Sequence, residues 1–302
     1  MVVESPSLRW RPPAAARAAP PPPPKRQRQC TLHDVVRVRS APLRAAVDPT
    51  RRTVVSLFDA DGSALAPWAA RGYTCIAVRH EPNPKKWKDA GAQPAGTVRQ
   101  VSCSLETVRA AEDDGIYPWL DVNGADVAFA CASPPSRDLS VAGARHWKAK
   151  RAKNPRFQED AVALVKEISN VFEGWDCPYY IANPASSQLR KLWREPNQTY
   201  QPYEYGGYLE PTDKHPLYPE FIPAQDAYSQ QQGLWTGGGF RMPVGKPVDP
   251  EWKYFSSARR GAKGTHRRRM SPVLYSNWNA RGARASTPRG FAKALCHRLH
   301  CV

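Results

Sequence analysis

TVVSLFDADGSALAPWAARGYTCIAV, residues 53–78, is the stretch that decides the fold. TVVSLF (53–58) is a short β-branched run bounded by turn formers, the pattern of a buried strand. SALAPWAARGY (63–73) has a helix-compatible composition and stops at Gly72, a suitable C-cap. TCIAV (74–78) is a second buried-strand run. Strand, helix, strand at this length is a βαβ unit, and such a unit implies a parallel sheet.

The alternation continues downstream. ADVAFACA (125–132) reads as another buried strand, ending in Ser133-Pro134-Pro135. FQEDAVALVKEISNVF (157–172) sets Ala161, Leu164, Val165, Ile168 and Val171 on one stripe at helical spacing. PYYIANP (178–184) reads as a further strand running into Asn183-Pro184. The expected fold is an open α/β sheet covered by helices on both faces. Residues 201–252, rich in Pro, Gly, Tyr and Gln, read as an irregular or β-hairpin region built on that sheet. RGFAKALCHRL (289–299) regains helical character.

The charge is unevenly spread. The 302 residues carry 44 Lys+Arg against 27 Asp+Glu, a net charge of +17. Residues 1–50 hold nine basic and three acidic side chains, and 253–302 hold twelve basic and no acidic ones. The stretch between them is nearly neutral. A neutral body with basic ends suits a polyanionic partner. No run of eighteen apolar residues supports a membrane span, and arginines interrupt the N-terminus where a secretory signal needs an apolar core. Seven scattered cysteines with no C-x-x-C pair argue against a disulfide framework and for a reducing compartment. CHRLHC (296–301) crowds four potential ligands too closely for one tetrahedral ion, so no metal is expected. Residues 1–50, proline-rich and basic, form a leader too poor in large apolar groups to fold. PPPPKRQRQ (21–29) within it reads as a nuclear-import signal, a basic nucleic-acid arm, or a leader with no receptor.

In an open parallel sheet, ligands bind beyond the carboxyl ends of the strands. FDADGS (58–63) follows the first strand: Gly62 lets the backbone approach a ligand, and Asp59 and Asp61 can accept from an ammonium or hydroxyls. Two carboxylates do not suit a phosphate, whereas a nucleoside with a cationic amino-acid tail fits, with Phe58 and Ser63 beside it. Glu81, after the second strand, either takes the ribose hydroxyls or is a surface charge. SPPSRDLSVAGARHW (133–147) rigidifies the loop after the third run, and its carbonyls suit the amino group of a flipped base. Arg137 and Arg145 stand ready for phosphate there. Asn183-Pro184 repeats that turn, followed by Trp193, Tyr200, Tyr203 and Tyr205 among Arg190, Lys191 and Arg194. Aromatics among cations suit base stacking and phosphate contact, or these rings are core. RRGAKGTHRRR (259–269), with Arg267, Arg268 and Arg269, and RGAR (281–284) are further candidates for phosphate contact.

In this order, SLFDADGS, ASPPSRDLSVAGARHW and YIANPASSQLRKLW resemble the phage- and virus-encoded branch of the DNA cytosine-5 methyltransferases. The resemblance runs over 53–207 and returns at 229–235 and 286–294. It implies a Rossmann-like methyltransferase sheet with an irregular basic C-terminal region, S-adenosylmethionine as cofactor and DNA as partner. With residues 24–29 it suggests an intracellular place such as a host nucleus or viral factory, and no membrane attachment or obligate protein partner is expected. Residues 51–215 would be the cofactor-binding domain, 216–285 the target-contacting region and 286–302 a helix returning to the sheet.

Two positions depart from the family. Ser136 stands where it carries its cysteine nucleophile, and Ala182 where it carries a glutamate. Carbon-5 chemistry needs a thiolate to add to the ring, and a serine without a base is a poor substitute. Three readings stay open: methylation of a base amino group around Ser133, Pro134, Pro135, Ser136 and Asn183; a DNA-binding homologue without catalysis; or a different base modification.

Overall fold

Each run of the 53–78 stretch becomes an element of one sheet. The computed structural model describes residues 50–59, 61–79, 98–102, 122–258, 265–275 and 281–300. The leader expected over 1–50 and Glu81 fall outside them, apart from Thr50. All the described residues belong to one unit, Leu43–Val302.

The strands are β1 (Thr53–Leu57), β2 (Thr74–Arg79), β3 (Val98–Ser102), β4 (Val127–Ala132), β5 (Tyr179–Pro184), β6 (Gln198–Tyr200) and β7 (Gln232–Gly237). They form a seven-stranded sheet in the order β3-β2-β1-β4-β5-β7-β6. Neighbours from β3 to β5 pair in parallel, while β7 runs antiparallel to both β5 and β6. Chain order reverses between β1 and β4, so the loops leaving these two strands diverge at one end of the sheet and open a crevice.

The described helices are α1 (Ala66–Ala69), α2 (Trp147–Lys153), α3 (Phe157–Gly174), α4 (Leu189–Leu192), α5 (Pro272–Tyr275), α6 (Arg281–Ala285) and α7 (Arg289–His300). Strand side chains alternate between faces. Val55, Leu57, Ala130 and Ile181 meet Val162, Val165, Ile168 and Phe172 of α3 on one face. Val54, Cys75, Phe129, Cys131 and Tyr180 meet Trp68 of α1 and Phe291 and Leu295 of α7 on the other. Burying each such large apolar side chain contributes about 1.5–3 kcal/mol, which is what seals both faces. The mixed α/β sheet with helices on both faces is therefore present.

Two expectations change and one open reading is decided. The helix read over 63–73 shrinks to α1, because the Gly62 carbonyl accepts the N–H groups of Leu65 and Ala66 and residues 61–65 are used in turns. Of the two readings open for 201–252, irregular or β-hairpin, β6 and β7 supply an antiparallel pair that joins the main sheet, although Gly233 and Gly237 interrupt the apolar pattern of β7. The basic region is not wholly irregular: β8 (Lys253–Ala258) and β9 (Thr265–Met270) pair as an antiparallel two-stranded sheet. Among the described residues, no helix is long and apolar enough to cross a membrane.

Candidate functional site

The loops after β1, β4 and β5 emerge together, and the segment leading into α7 covers them. Ser133 N–H donates to the Leu57 carbonyl at 2.9 Å, joining the ends of β1 and β4. The β4 loop then turns twice on the Ser136 carbonyl, which accepts from Leu139 (3.0 Å) and Ser140 (2.7 Å). Gly143 closes the loop against Arg137. A Cβ there would lie 1.8 Å from the Arg137 carbonyl oxygen, so only glycine fits. Gln188 N–H donates to the Leu139 carbonyl at 2.7 Å, tying this ledge to the β5 loop.

Between ledge, β5 loop and covering segment lies a cavity of about 430 Å³. Its walls bring together residues that the sequence set far apart, among them Ser133, Pro134, Pro135, Ser136, Ala182 and Asn183. Tyr200, Gln230, Arg284, Ser286 and Thr287 close it. Ser136 and Ala182 thus face one space. No carboxylate, histidine or cysteine is among the described residues of this wall. Ser136 has no base to deprotonate it there.

The polar geometry of the cavity is that of a hydrogen-bond acceptor. Asn183 is 2 % exposed, and its Nδ2 donates to the Pro134 carbonyl at 3.3 Å. That bond fixes the amide orientation, because the reverse would set two oxygens against each other. Asn183 Oδ1 is left buried without a hydrogen-bond partner, and so is Gln230 Oε1. The first proline of the pair therefore already accepts one hydrogen bond at its carbonyl. The Pro134 carbonyl is half used, and the side-chain oxygen beside it is free.

The turn after β1 is different. Phe58 adopts φ 60°, a strained value for a bulky residue, and Gly62 has φ 80°. Asp59 Oδ1 accepts the N–H groups of Asp61 (3.2 Å) and Gly62 (2.8 Å). Asp61 Oδ1 accepts from Ser63 at 3.0 Å. The second oxygen of Asp59 is buried without a hydrogen bond, and that of Asp61 is buried 3.5 Å from His215 Nε2, beyond hydrogen-bond geometry. Burial, and then the neighbouring Asp61 charge, push the Asp59 carboxyl up to about 6, against the pull of the two N–H groups. Buried carboxylate oxygens in this state fit a ligand bringing a positive charge or N–H and O–H donors. Phe58, Asp59, Asp61, Gly62 and Ser63 do not line the 430 Å³ cavity. They reach it through Ser286, whose hydroxyl donates to Ser63 Oγ at 3.4 Å.

Of the candidate phosphate contacts, Arg284 lines the cavity, whereas Arg137, Arg145, Arg190 and Arg194 do not. Arg137 and Arg145 are exposed on the ledge loop. Arg190 is paired with Glu195 at 3.1 Å. Arg194 donates to Asn197 Oδ1 at 2.6 Å and lies 4.5 Å over the Trp193 ring. Arg267, Arg268 and Arg269 lie on β9, in register with Ser256, Phe255 and Tyr254. The Arg269 guanidinium sits 4.5 Å over Trp252.

Tyr200 and Tyr205, offered as stacking platforms, are core. Both pack on Phe291, Tyr200 stacked at 4.1 Å, although Tyr200 still reaches the cavity wall. Cys131 is buried on the α7 face of the sheet, and burial pushes its thiol up to about 12.

Sequence reasoning missed Gln230 and His215, and offered Arg284 only within RGAR (281–284) as a phosphate contact, not as part of this wall. His215 is buried against Asp61 at 3.5 Å. A lone histidine in a Pro-rich stretch carries no local signal of this. No protein-family model matches the chain, and no curated protein matches it.

Proposed function

We propose that this chain is an S-adenosylmethionine-dependent methyltransferase with a Rossmann-like sheet, acting on an amino group of a DNA base. The observation that carries the reading is Asn183 Oδ1, a buried acceptor without a partner beside the Pro134 carbonyl, in a cavity beyond the carboxyl ends of β4 and β5. An exocyclic amine brings two N–H donors, one for each of these oxygens. A base in a duplex reaches such a cavity only when flipped out of the stack.

S-adenosylmethionine, when bound, supplies an electrophilic methyl group. Asp59, Asp61 and Ser63 are the groups that would hold its cationic tail, with Glu81 as the ribose candidate. Asn183 and Pro134 accept the amine's protons and so aim its lone pair. As the nitrogen becomes positive, the same two oxygens stabilise the charge. The surplus proton leaves to water, because no described wall residue is a base. Ser136 takes no covalent part. Arg284 at the wall and the exposed Arg137 and Arg145 meet phosphate.

A second reading is a DNA-binding homologue without catalysis. It is favoured by one observation: the β1 turn is buried and shut off from the cavity by the covering segment. One pair of measurements separates the two readings: calorimetric binding of S-adenosylmethionine, and transfer of its tritiated methyl group to DNA. Binding with transfer that drops at least about 100-fold in Asn183→Ala and less than about tenfold in Ser136→Ala supports amine methylation. Transfer lost in Ser136→Ala would sink it, and binding without transfer would favour the second reading.

A further inference from the structure

Three segments distant in sequence meet at one buried imidazole. His215 is 2 % exposed. Its Nδ1 accepts the N–H groups of Leu217 and Tyr218, both at 3.2 Å. Two donors aimed at Nδ1 leave no room for a proton, so the ring proton belongs on Nε2. That Nε2–H faces Ser286 Oγ at 3.1 Å and Asp61 Oδ2 at 3.5 Å. Ser286 in turn donates to Ser63 Oγ at 3.4 Å. Ser286 lines the cavity, whereas Asp61 and Ser63 belong to the turn after β1.

The trio Asp61, His215 and Ser286 is not a nucleophile relay. In a relay the carboxylate orients one ring nitrogen while the other takes the hydroxyl proton. Here carboxylate and hydroxyl share Nε2, and Nδ1 is held by backbone. Ser286 is therefore a ligand of the imidazole, and the imidazole is a joint. The charged groups around it are Asp61, Asp213 and Arg289, with the Tyr218 ring 5.1 Å away.

We infer that His215 is a positioning residue that couples the β1 turn to the cavity, its Nε2–H holding Asp61 and Ser286 in one arrangement. What the turn binds rests on the function proposed above; the joint itself does not. Loss of the Nε2–H frees Asp61 to turn from a ligand and lets the 284–288 wall move independently.

Two variants of the full chain separate the joint from simple packing. H215N keeps an acceptor near Nδ1 for the Leu217 and Tyr218 amides but has nothing that reaches Nε2. H215Q carries an N–H out to the Nε2 position and gives up the Nδ1 acceptor. In H215N, calorimetric affinity for S-adenosylmethionine falls about tenfold, the scale of one charge-assisted hydrogen bond. Without ligand, amide hydrogen exchange in H215N rises in 61–66 and 284–290 together. H215Q retains affinity within about threefold, as well as the protection of both segments. Equal losses in the two variants, or faster exchange in one segment alone, would overturn the coupling. A wild-type chain that binds no S-adenosylmethionine would defeat the function proposal and leave the exchange pattern to decide the joint.

Discussion

The loop after β1 and the loop after β4 start from adjacent strands and end in opposite chemistry. The first is charged and sealed: two aspartates with buried carboxylate oxygens and a strained Phe58. The second is open: its prolines and serines, with Asn183 at the end of β5, line a 430 Å³ cavity that holds no carboxylate among its described residues. A sealed carboxylate pair holds a cation well and tolerates little else. An open wall of amide, hydroxyl and proline groups admits a planar, uncharged group and fixes it by hydrogen bonds. On the proposed function, the difference separates holding the methyl donor from aiming the acceptor.

The largest expected effect breaks the open side. Gly143→Ala drives a Cβ to 1.8 Å from a backbone oxygen that no rotamer can relieve, so the ledge must shift. Destabilisation of about 3 kcal/mol is expected in denaturant melts, at the upper end for overpacking. An unchanged midpoint would mean that the ledge is not rigid.

Next comes Asn183→Asp, which keeps the acceptor and removes the amide donor to Pro134. A carboxylate buried against a carbonyl oxygen is repelled, so stability falls by about 2–3 kcal/mol at neutral pH and recovers on acidification as the group protonates. A loss of stability independent of pH would show that the Pro134 contact is not the one that matters.

On the sealed side the sign reverses. The Asp59 carboxyl titrates near 6 in the fold against an ordinary 3.8, so the folded state binds its proton more tightly than the unfolded chain. Stability is lost as pH rises through that window and stays lost above it. Asp59→Asn keeps the oxygen that accepts from Asp61 and Gly62 and removes the charge. It should stabilise the chain by about 2 kcal/mol at pH 7 and by almost nothing below pH 4. Asp226, also raised to about 6 by burial, adds a similar slope. His215, lowered chiefly by burial, opposes both by losing stability as pH falls below 6.5. On the proposed function, Asp59→Asn binds S-adenosylmethionine more weakly while melting higher. A variant that binds equally well would detach Asp59 from the cofactor.

How much of this was legible depends on whether each signal is local. The βαβ reading of 53–78 held because buried strands announce themselves as short β-branched runs, and α3 because its stripe is continuous. Strand β3 (VRQVS) is neither apolar nor long and went unread, and β7, broken by glycines, was legible only as part of a region either irregular or β-hairpin. Ser133 to Ser136 and Asn183 were found because proline punctuates the ends of strands β4 and β5. Gln230 and His215 were not, since they reach the site from loops whose local sequence is ordinary, and Arg284 was read only as a basic residue, not as part of the cavity wall. Their role exists only once α7 has folded back and carried Ser286 and Thr287 over the crevice. Tyr200 and Tyr205 failed as stacking platforms for the same reason: Phe291, some 90 residues on, claims their faces.

The smallest effect tests whether the basic hairpin belongs to the open side. Strand β9 carries Arg267, Arg268 and Arg269. Each phosphate contact contributes about 0.9 to the slope of log affinity against log salt. Replacing the three arginines together by Ala should therefore flatten that slope by roughly 2–3. Arg269 already lies over Trp252, a contact that orders the guanidinium before any partner arrives and lowers the entropy cost of binding. An unchanged slope would remove the hairpin from the polyanion contact.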